Sequence, residues 1–123
     1  MIQIEIMPAA RAAEGSYLAT GHAGQGNELI CNAVTVIEEC LCANLDSTWN
    51  IRVNRSKANG RYELRWHKTD RRGDGLRRAN EAAGFAYTGL KALAAQSPGL
   101  LKVKWRKAEF LERSEKYADQ RGN

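Results

Sequence analysis

The fold is decided by residues 49–66, which read WNIRVNRSKANGRYELRW. Apolar residues alternate with polar ones in two runs that flank the Asn59-Gly60 dipeptide: Trp49, Ile51 and Val53 before it, then Tyr62, Leu64 and Trp66 after it. This alternation is typical of strands with one buried face, and Asn-Gly is a strong hairpin signal. The stretch therefore predicts a β-hairpin with one face on the core and the other in water.

Helical patterns flank this hairpin on both sides. Apolar residues recur at three- and four-residue steps from about Asn27, a good N-cap residue, to about Leu45. A second such pattern runs from about Leu76 to Gln96 and is closed by Ser97-Pro98-Gly99. Each pattern predicts a helix with a single buried side.

Three more alternating stretches predict strands at residues 2–6, 16–20 and 101–105. The order along the chain is then ββαββαβ. Because the strands are apolar on one face only, both helices are expected to cover that face. The predicted fold is an α+β two-layer sandwich with a mostly antiparallel sheet. A single domain is expected over residues 1–107, followed by a tail or short helix over 108–123.

The composition predicts a cytoplasmic protein. A chain of 123 residues suits one domain, and no stretch approaches the roughly 20 apolar residues of a membrane span. The N-terminus alternates like a strand and lacks the pattern of a secretory signal. The 3 cysteines are an odd number without the spacing of a disulfide scaffold, which indicates a reducing compartment.

A basic excess lies in the middle of the chain. The formal net charge is +5, and cationic residues crowd residues 52–78. Such an excess favours weak attraction to nucleic acid, for which the candidate residues are Arg61, Arg65, Arg71 and Arg72. The simpler alternative is a solvated strand face and loop.

Residues 21–35 hold the candidate chemistry. Cys31 falls in the first turn of the first predicted helix, where unpaired N–H groups and the helix dipole stabilise an anion. Thiolate is the nucleophilic form of cysteine, and helix N-termini are among the places where a thiol pKa is lowered. His22 lies on the preceding loop, which can fold back and bring the imidazole within reach of the sulfur. The pair predicts a nucleophile and its general base.

The loop that joins the pair is built from small residues: Gly21, Ala23, Gly24 and Gly26. Glycines adopt backbone angles closed to other residues and permit close approach of a peptide substrate. Backbone N–H groups near Cys31 are candidate donors to the oxyanion of an acyl-transfer intermediate. The competing interpretation is that Cys31 is a small core residue and His22 an ordinary loop histidine.

Gly21-His22-Ala23, followed by ELICNAVT at residues 28–35, resembles the signature of the ribosomal-processing cysteine protease (Prp) family. That signature is a Gly-His-Ala, a variable loop, then Asp-Ile-Val-Cys with small residues and a Ser after it. Residues 84–91, with Ser97-Pro98 before the last strand, are similar to the family's second helix and final strand. The resemblance extends to about Lys104.

The resemblance implies a homodimeric cysteine endopeptidase that removes the N-terminal extension of a large-subunit ribosomal protein precursor. His22 and Cys31 match the family's catalytic histidine and cysteine, and no metal or cofactor is implied. Two alternatives stay open. One is a paralogous protease whose substrate is another precursor, such as a mobile-element protein. The other is a basic RNA- or ribosome-binding module in which Cys31 is structural.

Two supporting positions depart from the family pattern. The family's aspartate falls on Glu28, which either orients His22 or caps the helix. Its serine falls on Thr35, which either supports the site or bonds back to the Cys31 carbonyl. Asn32 stands where alanine is usual, and the loop between the pair is shorter than usual, which would reshape the substrate channel.

The remaining cysteines and tryptophans are expected to pack rather than to bind metal. Cys40 and Cys42 form a Cys-x-Cys with His67 far along the chain, which is poor zinc spacing. Cys40 extends the apolar stripe beside Leu41 and is expected in the core. Three further residues are expected in the core or at a dimer seam: Trp49, Trp66 and Trp105.

Overall fold

The computed structural model describes residues 1–10, 13–69 and 73–107. Seven elements follow one another in the predicted order: β1 (Ile2–Met7), β2 (Gly15–Thr20), α1 (Glu28–Asp46), β3 (Ile51–Ala58), β4 (Arg61–Lys68), α2 (Gly75–Gln96) and β5 (Leu101–Trp105). The ββαββαβ order is therefore confirmed. The predicted tail over 108–123, like Arg71 and Arg72, lies outside the described residues. Neither of the two described helices is long and apolar enough to cross a membrane.

The five strands form one sheet in the order β3-β4-β2-β1-β5. Every neighbouring pair is antiparallel except β1 with β5, which confirms the predicted, mostly antiparallel sheet. Arg61 of β4 pairs with Ala58 of β3 on one side and with Thr20 of β2 on the other. This register brings the end of β2, and the glycine-rich loop that follows it, beside the β3–β4 turn.

The core lies between the sheet and the two helices. Strands β1, β2 and β4 bury alternate residues, as the sequence predicts, and Trp66 is fully buried. α2 presents mostly small residues to the core, namely Ala79, Ala83, Ala86 and the larger Leu90. The two helices also pack together, since a Cβ at Gly89 of α2 would lie 3.7 Å from the Ile37 Cδ1 of α1. Small residues on α2 thus leave room for bulky strand side chains in a close-packed core.

The hairpin is longer than the alternation suggests. β3 continues to Ala58, and its later residues on the helix side are Arg55 and Lys57 rather than apolar ones. The Arg55 guanidinium lies 5.7 Å from the centroid of the Tyr62 ring and 3.4 Å from the Glu39 carboxylate of α1. Because β3 is an edge strand, such side chains cover apolar surface with their stems while their charged ends stay in water.

One of the three tryptophans does not lie where the alternation places it. Trp49 is 73% exposed, so it does not join the core, and its alternative place at a dimer seam stays a prediction. Asn50 adopts a φ of 63°, so the chain turns there and β3 begins only at Ile51. By contrast, Trp105 is half-buried, with its ring centroid 5.4 Å from that of Tyr87.

The prediction for Cys40 was also wrong. Cys40 is exposed, whereas Cys42 is buried. The buried side of α1 passes through Glu38, Leu41 and Cys42. Successive residues turn by about 100° around a helix, so Cys40 falls nearly opposite both Glu38 and Cys42. Cys40 therefore faces solvent, and the buried acid Glu38 lies on the core side of the helix.

Candidate active site

The loop between β2 and α1 is held at its start from two sides. Gly21, Gly24 and Gly26 adopt φ angles of 90°, 99° and 87°, the left-handed region that favours glycine. The Gly21 N–H donates a hydrogen bond to the Gly60 carbonyl at 2.9 Å. A Cβ on Gly21 would collide with the Met1 carbonyl oxygen. The residue before His22 is therefore fixed between the β3–β4 turn and the start of the chain.

The second half of the loop is closed by side chains at the helix start. The Asn27 amide donates to the carbonyl of buried Ala23 at 3.2 Å, so Asn27 binds the loop rather than capping the helix with its side chain. The Glu28 carboxylate accepts a hydrogen bond from the Gly26 N–H at 3.2 Å. The Glu28 carboxylate thus binds the backbone just before the helix. A role of Glu28 in orienting His22 stays a prediction.

Cys31 is half-buried in the first turn of α1 and packs against the core. Its N–H donates to the Asn27 carbonyl at 3.3 Å. Because Cα–Cβ bonds in a helix tilt toward its N-terminus, the sulfur lies over the first turn. The Thr35 hydroxyl donates to the Cys31 carbonyl at 2.9 Å, so Thr35 bonds back along the helix.

His22 is exposed, and its imidazole lies against the β3–β4 turn. A Cβ at Gly60 would be 3.0 Å from the imidazole Nε2. Within the described part of the chain, no hydrogen bond links the His22 and Cys31 side chains. The structure thus places His22 near the start of a short loop, with its ring against Gly60, and Cys31 in the first turn of the helix that follows the loop.

A buried acid lies deeper in the same helix. The Tyr17 hydroxyl of β2 donates to the Glu38 carboxylate at 2.7 Å. Burial raises the pKa of Glu38, while the Tyr17 hydrogen bond and the nearby Lys57 charge oppose the rise. Burial, followed by the Glu38 charge, raises the pKa of Tyr17. Sequence reasoning missed this pair, although Glu38 interrupts an otherwise apolar stripe between Val34 and Leu41.

The Tyr62 hydroxyl lies close to this pair. It is buried without a hydrogen-bond partner among the described residues. Its ring meets the Tyr17 ring edge-on, with 6.1 Å between the centroids. Burial, followed by the neighbouring Cys42, raises the pKa of Tyr62. Like Trp66, Tyr62 lies on the core face, as the alternation predicted.

The open face of the sheet is basic. Arg61 and Arg65 project from it, and both approach the Glu63 carboxylate, at 3.3 and 3.5 Å. Exposed pairs of this kind contribute little to stability. The described residues contain no group of three His, Cys, Asp or Glu side chains that could hold a metal ion.

The chain is thus a small two-layer α+β protein that carries a cysteine at a helix start and a histidine in the loop leading to it. No protein-family model and no curated protein matches it. Several solved structures do match this chain. Their fold is the one that the sequence resemblance implied, that of the ribosomal processing protease Prp.

Two structures of Prp from S. aureus are similar to this chain. Each match covers 100% of the Prp chain and 86% of this chain. The one with a covalently linked product peptide has a TM-score of 0.67 at 13% identity. The one with a substrate peptide has a TM-score of 0.68 at 12% identity. SMU.848 from Streptococcus mutans has a TM-score of 0.63 at 21% identity, over 88% of this chain and 96% of that one.

Proposed function

We propose that this chain is a cysteine endopeptidase that removes an N-terminal extension from a large-subunit ribosomal protein precursor. Cys31 is the nucleophile and His22 the general base. The observation that carries the proposal is the position of Cys31 in the first turn of α1, with His22 on the loop leading into that turn. The likeness of the fold to Prp supports it.

The reaction has two steps at the Cys31 sulfur. In the first, His22 accepts the thiol proton, the thiolate attacks the scissile carbonyl carbon, and a C–S bond forms. The C–N bond then breaks as the imidazolium gives its proton to the leaving amine. In the second step, His22 deprotonates a water molecule, which hydrolyses the thioester and releases the carboxylate product. The free thiol is restored at the end of the cycle.

The helix backbone narrows the choice of oxyanion donors. The N–H groups of Ile30 and Cys31 both donate to the Asn27 carbonyl, at 3.2 and 3.3 Å. We assign the oxyanion to the N–H groups of Glu28 and Leu29, which lie in the first turn of α1 ahead of its first bonded N–H group and point out of the helix end. The Cys31 side chain leans toward that same end.

Substrate binding is expected to bring the Cys31 sulfur and the imidazole together while the ring stays over Gly60. Catalytic hydrogen bonds in free enzymes are often long and tighten only when the substrate is bound. The left-handed glycines Gly24 and Gly26 lie between His22 and α1 and can make this adjustment, and they offer open backbone to an extended peptide. The ribosomal precursor is the substrate we favour, because the similar S. aureus protein is a ribosomal processing protease solved with peptides. A mobile-element precursor is the alternative substrate.

The direct test is cleavage of the ribosomal protein precursor by the purified protein, with the products identified by mass spectrometry. Cys31→Ala is expected to abolish cleavage. His22→Gln is expected to lower kcat by about 10²–10⁴-fold, the usual contribution of a general base. The matched controls are Cys40→Ala, an exposed cysteine of the same helix, and His67→Gln, and both should cleave normally. Full activity in Cys31→Ala would rule out the mechanism.

We also propose that the protein acts as a homodimer. The helices expose three large apolar side chains, which are Leu29 (84%), Val36 (62%) and Phe85 (78%). A second copy that covers them would remove this surface from water. Sedimentation velocity should show a dimer that Val36→Lys combined with Phe85→Lys dissociates. A monomer at the concentrations that support cleavage would contradict this.

The second candidate function is binding of RNA through the open face of the sheet. Its exposed cations are Arg52, Arg61, Arg65, Lys102, Lys104 and Arg106. The opposing acids are Glu5 and Glu63, each already paired with an arginine. The five strands place no Phe, Tyr or Trp on this face, and its one imidazole, that of His67, is half-buried, so contacts would be mainly to phosphates rather than to stacked bases.

Fluorescence anisotropy with a short RNA tests this second candidate. Arg61→Glu with Arg65→Glu should weaken binding and flatten its salt dependence. Arg77→Glu with Arg78→Glu, which changes the net charge equally but on exposed positions of α2, is the matched control and should bind nearly as wild type. Equal loss in both variants would show that only net charge matters. Binding that survives Cys31→Ala would be compatible with steering of the protease to ribosomal substrates.

A further inference from the structure

Gly60 lies where a side chain would meet the candidate general base. A Cβ at this position would be 3.0 Å from the His22 Nε2, 3.6 Å from its Cδ2 and 3.7 Å from its Cε1. The ring therefore lies over the glycine with one edge close to it. A Cβ at that distance would force the imidazole to shift.

The backbone holds the two residues in this relation. The Gly21 N–H donates to the Gly60 carbonyl at 2.9 Å, so the residue before His22 is bonded to the turn itself. The turn is fixed in its own right, because Arg61 pairs with Ala58 across the hairpin and with Thr20 of β2. His22 and Gly60 are far apart in the sequence, and the sheet register joins them.

Turn geometry alone is a competing reason for a glycine here. Gly60 has a φ of 71°, which alanine adopts only with strain, but asparagine tolerates this region. A residue needed only for the turn could therefore be replaced by asparagine. A residue needed for the space over its Cα could not.

We infer that Gly60 is a positioning residue for His22, and that its missing side chain leaves the space in which the imidazole lies. The inference rests on the proposed role of His22 as general base. Displacing the ring by a fraction of an ångström or more lowers the fraction of bound substrate that meets it in reactive geometry. The effect falls on kcat more than on KM, because the imidazole handles protons rather than holding the peptide.

The experiment compares Gly60→Asn and Gly60→Ala with Gly99→Asn and Gly99→Ala. Gly99 also has a left-handed φ, of 85°, but a Cβ there would meet nothing within 4 Å. The Gly60 variants should lose up to about 10²-fold in kcat with little change in KM. The Gly99 variants should keep wild-type kinetics. Gly60→Asn should lower kcat as Gly60→Ala does.

A second readout does not depend on proteolysis. The chain has 2 histidines, so the His22 imidazole signals can be assigned by NMR with His67→Gln. Wild-type protein should show a nuclear Overhauser effect between the His22 ring and the Gly60 α-protons. Gly60→Asn should move the His22 signals while leaving those of His67 in place.

The two readouts separate the inference from the proposed function. If wild-type protein cleaves nothing while the His22 signals respond to Gly60→Asn, the protease proposal fails and the positioning contact stands. An absent Overhauser effect in wild-type protein, or a folded Gly60→Asn variant with wild-type kcat, would overturn the inference.

Discussion

Glu38 shows what a single residue contributes to this core. Its carboxyl group is buried beside the Tyr17 hydroxyl, and burial raises its pKa above the ordinary value of 4.5. A glutamate whose pKa is raised in the folded protein stabilises the fold most when it is protonated. That contribution is fully present below pH 4.5 and is lost as the pH rises through the folded-state pKa.

Glu38→Gln is accordingly expected to flatten the pH dependence of stability. Above the folded-state pKa, the variant should have a higher free energy of unfolding than wild type, because it has no charge to bury. The gain should shrink as the pH falls toward 4.5. Urea denaturation at a series of pH values measures this, with Glu39→Gln, an exposed neighbour, as the control. A difference that stays constant across the pH range would contradict a raised pKa for Glu38.

At the scale of the elements, Asn80 of α2 joins three parts of the fold. Its side chain accepts hydrogen bonds from the Ala9 N–H at 2.8 Å and from the Trp66 indole at 3.2 Å. It donates to the Ala9 carbonyl at 2.8 Å. One amide thus satisfies the polar groups of buried Ala9 and of the buried Trp66 indole. It ties α2 to β4 and to the segment after β1.

Asn80→Leu should lower the free energy of unfolding by roughly 1–3 kcal/mol or more, because it leaves buried donors and an acceptor without partners. Asn80→Asp keeps the acceptor, but its ionised carboxylate sets an oxygen against the Ala9 carbonyl, so its cost should fall as the pH is lowered and the acid is protonated. The control is Asn54→Ala on the exposed face of β3, which should change stability by less than about 0.5 kcal/mol. A loss no larger in Asn80→Leu than in this control would show that the three contacts do not matter.

Element type and order could be predicted from the sequence because strong periodicity sets them. The two helices and the alternating strands were predicted in this way. The places where prediction failed are those where a local turn or a polar contact overrides periodicity. Asn50 turns the chain and exposes Trp49, and the Tyr17 hydrogen bond accompanies a buried Glu38 that the apolar pattern did not predict.

The candidate site likewise has one part that could be predicted from the local sequence and another that could not. His22 and Cys31 could be named from a short local pattern, because both lie between the end of β2 and the first turn of α1. The contact of His22 with Gly60 could not, because it depends on how β2, β3 and β4 pair.

At the scale of the whole molecule, the register and the helix layer leave two surfaces with different chemistry. The open sheet face is polar and basic, and the helix layer exposes apolar side chains. The loop over residues 21–27 lies where β2 ends and α1 begins, beside the β3–β4 turn. We expect a peptide to reach Cys31 from this end, since the glycines leave the backbone uncovered there.

Site-resolved alkylation tests most directly whether Cys31 is an activated nucleophile served by His22. Iodoacetamide labelling, followed by mass spectrometry, gives separate rates for Cys31 and for Cys40, which is more exposed and lies on the same helix. Near neutral pH, Cys31 should react faster than Cys40, and His22→Gln should slow Cys31 alone. Slower labelling of Cys31 than of Cys40, unchanged by His22→Gln even with substrate peptide present, would contradict the proposed mechanism.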